Sequence, residues 1–227
     1  MAAHRTGEQL SFSGFEVGSP QTDRLIFLAQ PDEFTARRVS HVVHALKCKY
    51  QLGGEPFSPS RLHVSLLHIG DYYKFPADII VRAKEAASRI VFPSVDVVFD
   101  RVVSFSGAED DPPREDSYAL VFLASNGATE LTALRKALAL SMAKAGIKSQ
   151  YRFHFKPHMT LLYDKRHRIV EDIEPIDWTV NGFAFIDSLL GRSRYKQLGR
   201  WPLTGRRPVQ SASHSSEKHR MVPVNRG

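Results

Sequence analysis

The sequence of 227 residues has little of what several large protein classes require. Its single cysteine, Cys48, excludes an intramolecular disulfide and supplies no zinc cluster, which favours a reducing compartment. No apolar run approaches the roughly 20 residues needed to span a bilayer. The N-terminus also lacks the apolar core of a secretory signal. These absences predict a cytoplasmic protein. We expect Cys48 to pack on a helix.

Two common catalytic signatures are also missing from the sequence. There is no glycine-rich phosphate loop of the kind that nucleotide triphosphate hydrolases use. There is no His-Glu-x-x-His sequence, and a zinc site would require three or four ligands at suitable spacing. We therefore expect neither a catalytic metal nor a cofactor.

The sequence does contain one short pattern twice: His63-Val-Ser65-Leu-Leu and His158-Met-Thr160-Leu-Leu. In an extended strand, side chains alternate between the two faces, so His63 and Ser65 point the same way, as do His158 and Thr160. The apolar residues between them point to the other face. Each copy therefore predicts a strand with a polar, reactive face above an apolar core.

The tripeptide His-x-Ser/Thr is not specific by itself, because it occurs again at His4 and His214. Those two copies lie in polar stretches without strand character. The copies at His63 and His158 lie in apolar runs, and both continue into two leucines. With leucine near 10% of average usage, two specified leucines follow a given histidine by chance about once in a hundred cases.

The chemistry that suits two such strands is cleavage of a phosphodiester. Hydrolysis needs a water deprotonated on one side of phosphorus and a leaving oxygen protonated on the other. His63 and His158 are suited to these tasks because imidazole exchanges protons near neutral pH. Ser65 and Thr160 would donate hydrogen bonds to the non-bridging phosphate oxygens. The sequence leaves open which histidine is the base and which the acid.

Further candidates for substrate binding lie near the motifs. If the second motif strand begins near residue 155, alternation places His154 and Lys156 on the same face as His158, which makes Lys156 a candidate phosphate-binding cation. Tyr195 and Phe155 are candidates for stacking on a base. By the same alternation His68 falls on the face opposite His63, and we expect it to have a structural role.

Periodicity and turn residues predict two similar successions of strand, helix and motif strand. The amphipathic stripe at 128–145 is the clearest helix, with Gly146 as its C-cap. We also expect an exposed acidic loop at 107–116. The remaining expected elements are strands at 25–29, 61–69, 95–105 (bent near Val97-Val98), 118–124, 155–163, 178–189 and 195–200, and helices from Pro31 to about residue 52 and at 77–89.

These motifs resemble the 2H phosphoesterases, specifically the bacterial 2′,5′ RNA ligase-like branch, also described as RNA 2′,3′-cyclic phosphodiesterases. The similar stretches follow the family's order over residues 23–204. They are residues 24–29, 62–70, 155–162 and 183–188, followed by Gly191, Tyr195 and residues 201–203. Many members carry an arginine shortly after the second motif, whereas this chain has Tyr163 there.

The resemblance implies an α+β fold of two pseudo-symmetric lobes, mainly antiparallel sheet with helices outside, and one motif in each lobe facing a central cleft. It also implies metal-independent hydrolysis of 2′,3′-cyclic phosphate RNA ends or nucleotides to 2′-phosphomonoesters, together with a reversible 2′,5′ RNA ligase activity. One alternative keeps the chemistry but takes a cyclic phosphate derived from ADP-ribose. Another is a non-catalytic RNA-binding module. We expect a monomer with no obligate protein partner and no membrane association.

The net charge of +7 is concentrated at the C-terminal end. Residues 205–227 hold five basic residues and one acidic residue, with few large apolar groups, so we expect a disordered basic tail. Residues 1–22 are expected to be a flexible segment. The body between them remains basic, which is compatible with an anionic substrate such as RNA or a cyclic nucleotide.

Overall fold

The computed structural model describes residues 23–106, 118–151, 155–165, 168–189 and 194–205. The predicted flexible N-terminal segment, the acidic loop and the basic tail beyond residue 205 lie outside these ranges. None of the described helices is both long and apolar enough to cross a membrane. The elements in chain order are β1 (Asp23–Ala29), α1 (Glu33–Tyr50), a 3-10 turn (Pro59–Arg61), β2 (Val64–Tyr72), α2 (Ala77–Ser88), β3 (Val95–Ser106), β4 (Tyr118–Asn126), α3 (Ala128–Lys144), β5 (His158–Asp164), β6 (Val170–Val180), β7 (Gly182–Leu189) and β8 (Arg194–Pro202).

These strands form one antiparallel sheet in the order β6-β3-β4-β5-β2-β1-β7-β8. The predicted α+β class with a mainly antiparallel sheet is therefore confirmed. The motif strands β2 and β5 are the central neighbours, and they pair at Val64 and Met159. On either side of this pair the chain repeats one unit, β1-α1-β2 and β4-α3-β5. The division into two lobes around a cleft stays a prediction.

The helices cover one face of the sheet. In α3 the predicted stripe is fully buried, and the helix ends where Gly146 takes a left-handed φ of 70°. Apolar residues of all three helices join the large strand side chains, such as Phe27 and Phe122, in one core cluster. Among the described residues, the other face carries a small apolar cluster of Leu28, Ala184 and Ile186. That second face is therefore free to carry polar, functional side chains.

Both leucines of each motif are buried because each motif strand contains a β-bulge. Along β2 the pairing with β1 shifts between Ser65 and Leu67, which leaves Leu66 as the extra residue. Along β5 the pairing with β4 shifts in the same way and leaves Leu161 as the extra residue. A bulge interrupts strict alternation, so two successive side chains reach the same core. The Leu-Leu ending of the motif is thus part of one local structure used twice.

The bulge corrects the predicted position of His68. Strict alternation placed it opposite His63, but His68 pairs with Ile26, on the same face of the sheet as the pair of Ser65 and Leu28. The expected structural role is nevertheless supported. The His68 ring is buried, with Nδ1 3.1 Å from Gln150 Oε1 and Nε2 2.9 Å from Asp71 Oδ1.

Three other expectations differ from the observed elements. The second motif strand begins at His158, not at residue 155, and the single strand expected at 178–189 is two strands, β6 and β7, separated at Asn181. Cys48 does lie on α1, but it is exposed instead of packed. The bend expected near Val97-Val98 is confirmed, because the pairing of β3 with β4 shifts between Val98 and Phe99 and again between Phe99 and Arg101.

Candidate active site

The pairing of the two motif strands brings their histidines to one place on the open face. Val64 and Met159 are direct partners in antiparallel strands, so the residues that flank them also lie across from each other. His63 is therefore opposite Thr160, and Ser65 is opposite His158. The four predicted motif residues form one cluster at the centre of the sheet.

Both histidines are held by the same hydrogen bond. His63 Nδ1 lies 2.7 Å from the carbonyl oxygen of Arg61, and His158 Nδ1 lies 2.8 Å from that of Lys156. A backbone carbonyl only accepts hydrogen bonds, so in each ring Nδ1 carries the hydrogen and donates it. In the neutral imidazole Nε2 then has the free lone pair. The geometry leaves one Nε2 from each strand for chemistry.

An aromatic ring meets each imidazole nearly at a right angle. The ring centroids of His63 and Tyr195 are 5.8 Å apart with an interplanar angle of 86°. Those of His158 and Phe105 are 5.4 Å apart at 70°. Such contacts restrict the orientation of both imidazoles beyond what the Nδ1 hydrogen bonds provide. The predicted residue Tyr195 is thus brought to the site.

The surroundings of His63 make its imidazole harder to protonate. His63 retains some solvent contact, but protein atoms enclose its ring closely. This desolvation lowers the pKa of His63 below its ordinary value. The hydrogen bond to the Arg61 carbonyl raises that pKa, while the nearby positive charges of His158 and Arg61 lower it. The net effect favours neutral His63, whose Nε2 is able to accept a proton.

The hydroxyl residues lie beside the histidines with their hydrogen-bonding capacity available. Ser65 and Thr160 are half-buried, and their flanking residues Val64 and Met159 are fully buried on the other face. Within the described ranges neither hydroxyl has a hydrogen-bond partner. Both are therefore able to donate to an anion placed between the strands.

Lys156 precedes β5, so the alternation used to place its side chain does not apply. The carbonyl of Lys156 accepts the hydrogen bond that orients His158, and the Lys156 side chain is exposed. The Phe155 ring lies 4.4 Å from the guanidinium carbon of Arg135, a buried residue of α3. The structure thus directs Phe155 toward the helix layer. His154 lies outside the described residues.

Sequence reasoning missed Arg61 and Phe105. Arg61 had a detectable signal, because the repeat extends two residues further back: Arg61-Leu-His63 corresponds to Lys156-Pro-His158. Phe105 lies on β3, two strands from β5 in the sheet, and no local pattern links it to His158. Its place at the site follows only from the tertiary structure.

Tyr163, which stands where many similar sequences carry an arginine, contacts the loop before β2. Its ring meets Phe57 at a centroid distance of 5.9 Å, and the next residue, Asp164, accepts hydrogen bonds from the amides of Gly53 and Gly54. This end of β5 therefore holds the loop that leads to Arg61. Among the described residues, His, Cys, Asp and Glu do not gather in threes that could hold a metal ion.

Known proteins share this fold. The model of the 2′-5′ RNA ligase superfamily matches residues 30–192. The ligand-free structure of E. coli LigT is 22% identical, with a TM-score of 0.59, over 81% of this chain and 99% of that chain. The structure of TT0787 of Thermus thermophilus is 21% identical, with a TM-score of 0.63, over 81% of this chain and 100% of that chain. No curated protein matches the chain.

Proposed function

Because this chain belongs to the 2′-5′ RNA ligase superfamily, the family that its motifs resemble, we propose that it is a metal-independent phosphodiesterase. It opens 2′,3′-cyclic phosphate ends of RNA or of nucleotides to 2′-phosphomonoesters. The observation that carries this proposal is the matched pair of histidines, each anchored through Nδ1 with Nε2 left free. Two such groups on adjacent strands are suited to act on opposite sides of one phosphorus atom.

His63 is the general base in this proposal and His158 the general acid. The lowered pKa of His63 keeps its ring neutral at physiological pH, so Nε2 takes a proton from the attacking water. The water oxygen forms a bond to phosphorus while the bond from phosphorus to O3′ breaks. His158 Nε2 gives its proton to the departing O3′. The phosphate then remains on O2′, and one proton has moved onto His63 and one off His158.

The hydroxyls of Ser65 and Thr160 stabilise the negative charge that builds on the non-bridging oxygens. Donors fixed before the reaction cost no reorganisation during it, which is why such groups are effective. Exposed Lys156 adds positive charge near the same site. Ligation would use the same groups in the same roles: His63 would take the proton of a 5′-hydroxyl that attacks phosphorus in place of water, and His158 would protonate the departing O3′. The product would be a 2′,5′-phosphodiester, and its cleavage back to the cyclic end would exchange the two roles.

Related structures support a nucleotide substrate. Structures of E. coli LigT are described as complexes with 3′-AMP, with ATP and with phosphate. Each of these ligands carries the phosphate group that the proposed site requires. Paired histidines also favour catalysis over simple RNA binding, because Arg and Lys more often serve phosphate binding alone.

The test is turnover of a 2′,3′-cyclic nucleotide by the purified protein in EDTA, with His63→Ala and His158→Ala compared with the wild type. We expect activity to survive EDTA and to fall by about 10²- to 10⁴-fold in each variant. His41→Ala is the matched control, because His41 is an exposed residue of α1. Wild-type protein that turns over no cyclic substrate, or variants with unchanged rates, would contradict the proposal.

A further inference from the structure

An open cavity of about 340 Å³ lies next to His63, on the side of the sheet's open face toward β8. Tyr195 forms part of its wall, and the same ring contacts the His63 imidazole. The cavity therefore begins one aromatic ring away from the proposed base. None of the described residues that line it is acidic, and its polar lining residues are Gln30, Ser58, Ser60, Arg61 and Gln197.

Arg61 is fixed in the wall of this cavity by two aromatic rings. Its guanidinium carbon lies 4.4 Å from the centroid of Phe57 and 5.5 Å from that of Tyr195. Stacking engages the flat faces of a guanidinium and leaves its N–H edge for hydrogen bonds. The cation is thus oriented before any ligand arrives.

The hydrogen-bonding capacity of this guanidinium is not used by the described part of the chain. Arg61 Nε is buried without a hydrogen-bond partner, and no described carboxylate lies within ion-pair distance of Arg61. Other arginines in the fold are paired, such as Arg24 with Asp71 and Arg101 with Asp172. Buried donors normally have acceptors, so an unpaired one beside a cavity indicates a ligand that supplies them.

Phosphate is the ligand chemistry that fits this cavity. The planar fork of arginine matches two oxygens of a phosphate group. The hydroxyls of Ser58 and Ser60 share a hydrogen bond of 3.2 Å, in which one donates to the other, so the pair leaves one hydroxyl hydrogen for a ligand in the same wall. The phosphate that reacts must lie between His63 and His158, so a phosphate in this cavity is a second group.

We propose that this cavity is a binding subsite for a second phosphate of the substrate, held by Arg61 with Ser58 and Ser60. The inference rests on the proposed function, because it takes the reacting phosphate to lie between the histidines. In a chain that ends in a cyclic phosphate, the next phosphate is attached to the 5′ carbon of the same ribose. The subsite thus selects substrates with a 5′-phosphate over simple cyclic nucleosides.

Binding measurements test this subsite without requiring turnover. We would titrate adenosine 2′-monophosphate and adenosine 2′,5′-bisphosphate into the wild type by calorimetry at one fixed ionic strength. We expect the bisphosphate to bind at least about 10-fold more tightly, because one charge-assisted hydrogen bond contributes about that factor in affinity. Arg61→Gln should remove that advantage, and Arg61→Lys should keep only part of it because ammonium lacks the planar fork.

The control variant is Arg89→Gln, which makes the same charge change on an exposed residue at the end of α2. It should retain the full preference for the bisphosphate. Equal affinity of the two ligands for the wild type would overturn the inference, even if cyclic nucleotides are turned over. If Arg61→Gln and Arg61→Lys lowered the affinity for both ligands equally, the inference would be overturned too, because Arg61 would then bind only the first phosphate.

Two classes of cyclic phosphate carry such a 5′-phosphate: RNA ends and derivatives of ADP-ribose. Their rates of turnover distinguish between them. A dinucleotide that ends in a 2′,3′-cyclic phosphate offers an internucleotide phosphate, whereas a cyclic phosphate of ADP-ribose offers a pyrophosphate. We expect kcat/KM for at least one of them to exceed that for 2′,3′-cyclic AMP by about 10-fold or more, the same gain as in binding. The preferred substrate identifies the source. Equal values for all three substrates would contradict the subsite, whereas no turnover at all would contradict the proposed function alone.

Discussion

The two motif strands share a local structure but differ in their surroundings. Each histidine donates from Nδ1 to the carbonyl two residues earlier, and each strand has a bulge at the first leucine. On the β2 side the Arg61 guanidinium contacts the rings of Phe57 and Tyr195, whereas the corresponding Lys156 on the β5 side is exposed. The repeated motif therefore determines the geometry of each histidine, while the surroundings of each copy determine its chemistry.

A division of labour between base and acid requires this difference. Two imidazoles with identical surroundings would hold protons equally well, and neither would be favoured as acceptor. Desolvation and nearby positive charge lower the pKa of His63, so that ring favours the neutral form.

The largest expected effect comes from removing both members of the pair. Groups that act as a unit are not additive, so the double variant His63→Ala/His158→Ala should lose little more activity than either single variant. Each single variant should already lose about 10²- to 10⁴-fold in kcat. Single-turnover rates on a cyclic-ended substrate measure this. Losses that multiply in the double variant would mean that the two histidines act independently.

The second prediction concerns the stability contributed by the two buried leucines that follow the bulges. Leu67 and Leu162 are both fully buried and occupy equivalent places after the two bulges. We expect Leu67→Ala and Leu162→Ala each to lower the free energy of unfolding by about 2 to 5 kcal/mol, through lost packing and a residual cavity. Urea denaturation checks this. The exposed Leu140 provides the control, since Leu140→Ala should have almost no effect.

The third prediction compares the two hydroxyls. Ser65→Ala and Thr160→Val each remove one donor while keeping similar bulk, and each should lower kcat by about 10²-fold. Because both residues lie at equivalent positions, the two losses should agree within about tenfold. Steady-state rates on a cyclic nucleotide give the comparison. A loss in one variant alone would show that the second motif does not contribute in the same way.

The smallest effect concerns stability at acid pH. The pKa of His63 is lowered in the folded state, so below about pH 6.5 the unfolded chain binds a proton that the folded chain resists. The free energy of unfolding should therefore fall as the pH drops from 6.5 through the folded-state pKa. His63→Gln should flatten this decline, whereas His41→Gln should not. Denaturation curves at pH 7.5 and at pH 5 provide the measurement.

Much of the architecture could be predicted from the sequence because its signals are local. The stripe of Leu131, Leu134, Leu138 and Met142 identified α3, and the repeated motif identified two strands with their polar residues on one face. The bulges could not be predicted, because strict alternation assumes an uninterrupted strand. That assumption placed His68 on the wrong face.

The surroundings of the motif histidines were less predictable. Tyr195 does contact His63, and its expected stacking on a base stays a prediction, whereas Phe105 reaches His158 from a strand two places away in the sheet. Lys156 was placed by extending a strand that begins only at His158, and Phe155, a candidate for base stacking, lies against Arg135 of α3. Arg61 was overlooked, although the repeat includes a basic residue two places before each histidine.

The most direct test of the account is the pH dependence of kcat/KM for a 2′,3′-cyclic nucleotide in EDTA. This quantity reports the ionisations of the free enzyme's essential acid and base. If His63 is the base, a plot of kcat/KM against pH is bell-shaped, and its acidic limb lies below the ordinary histidine pKa of about 6.5, because His63 must be neutral to act. An acidic limb above that value, or a rate that keeps rising as the pH falls, would contradict His63 as the base.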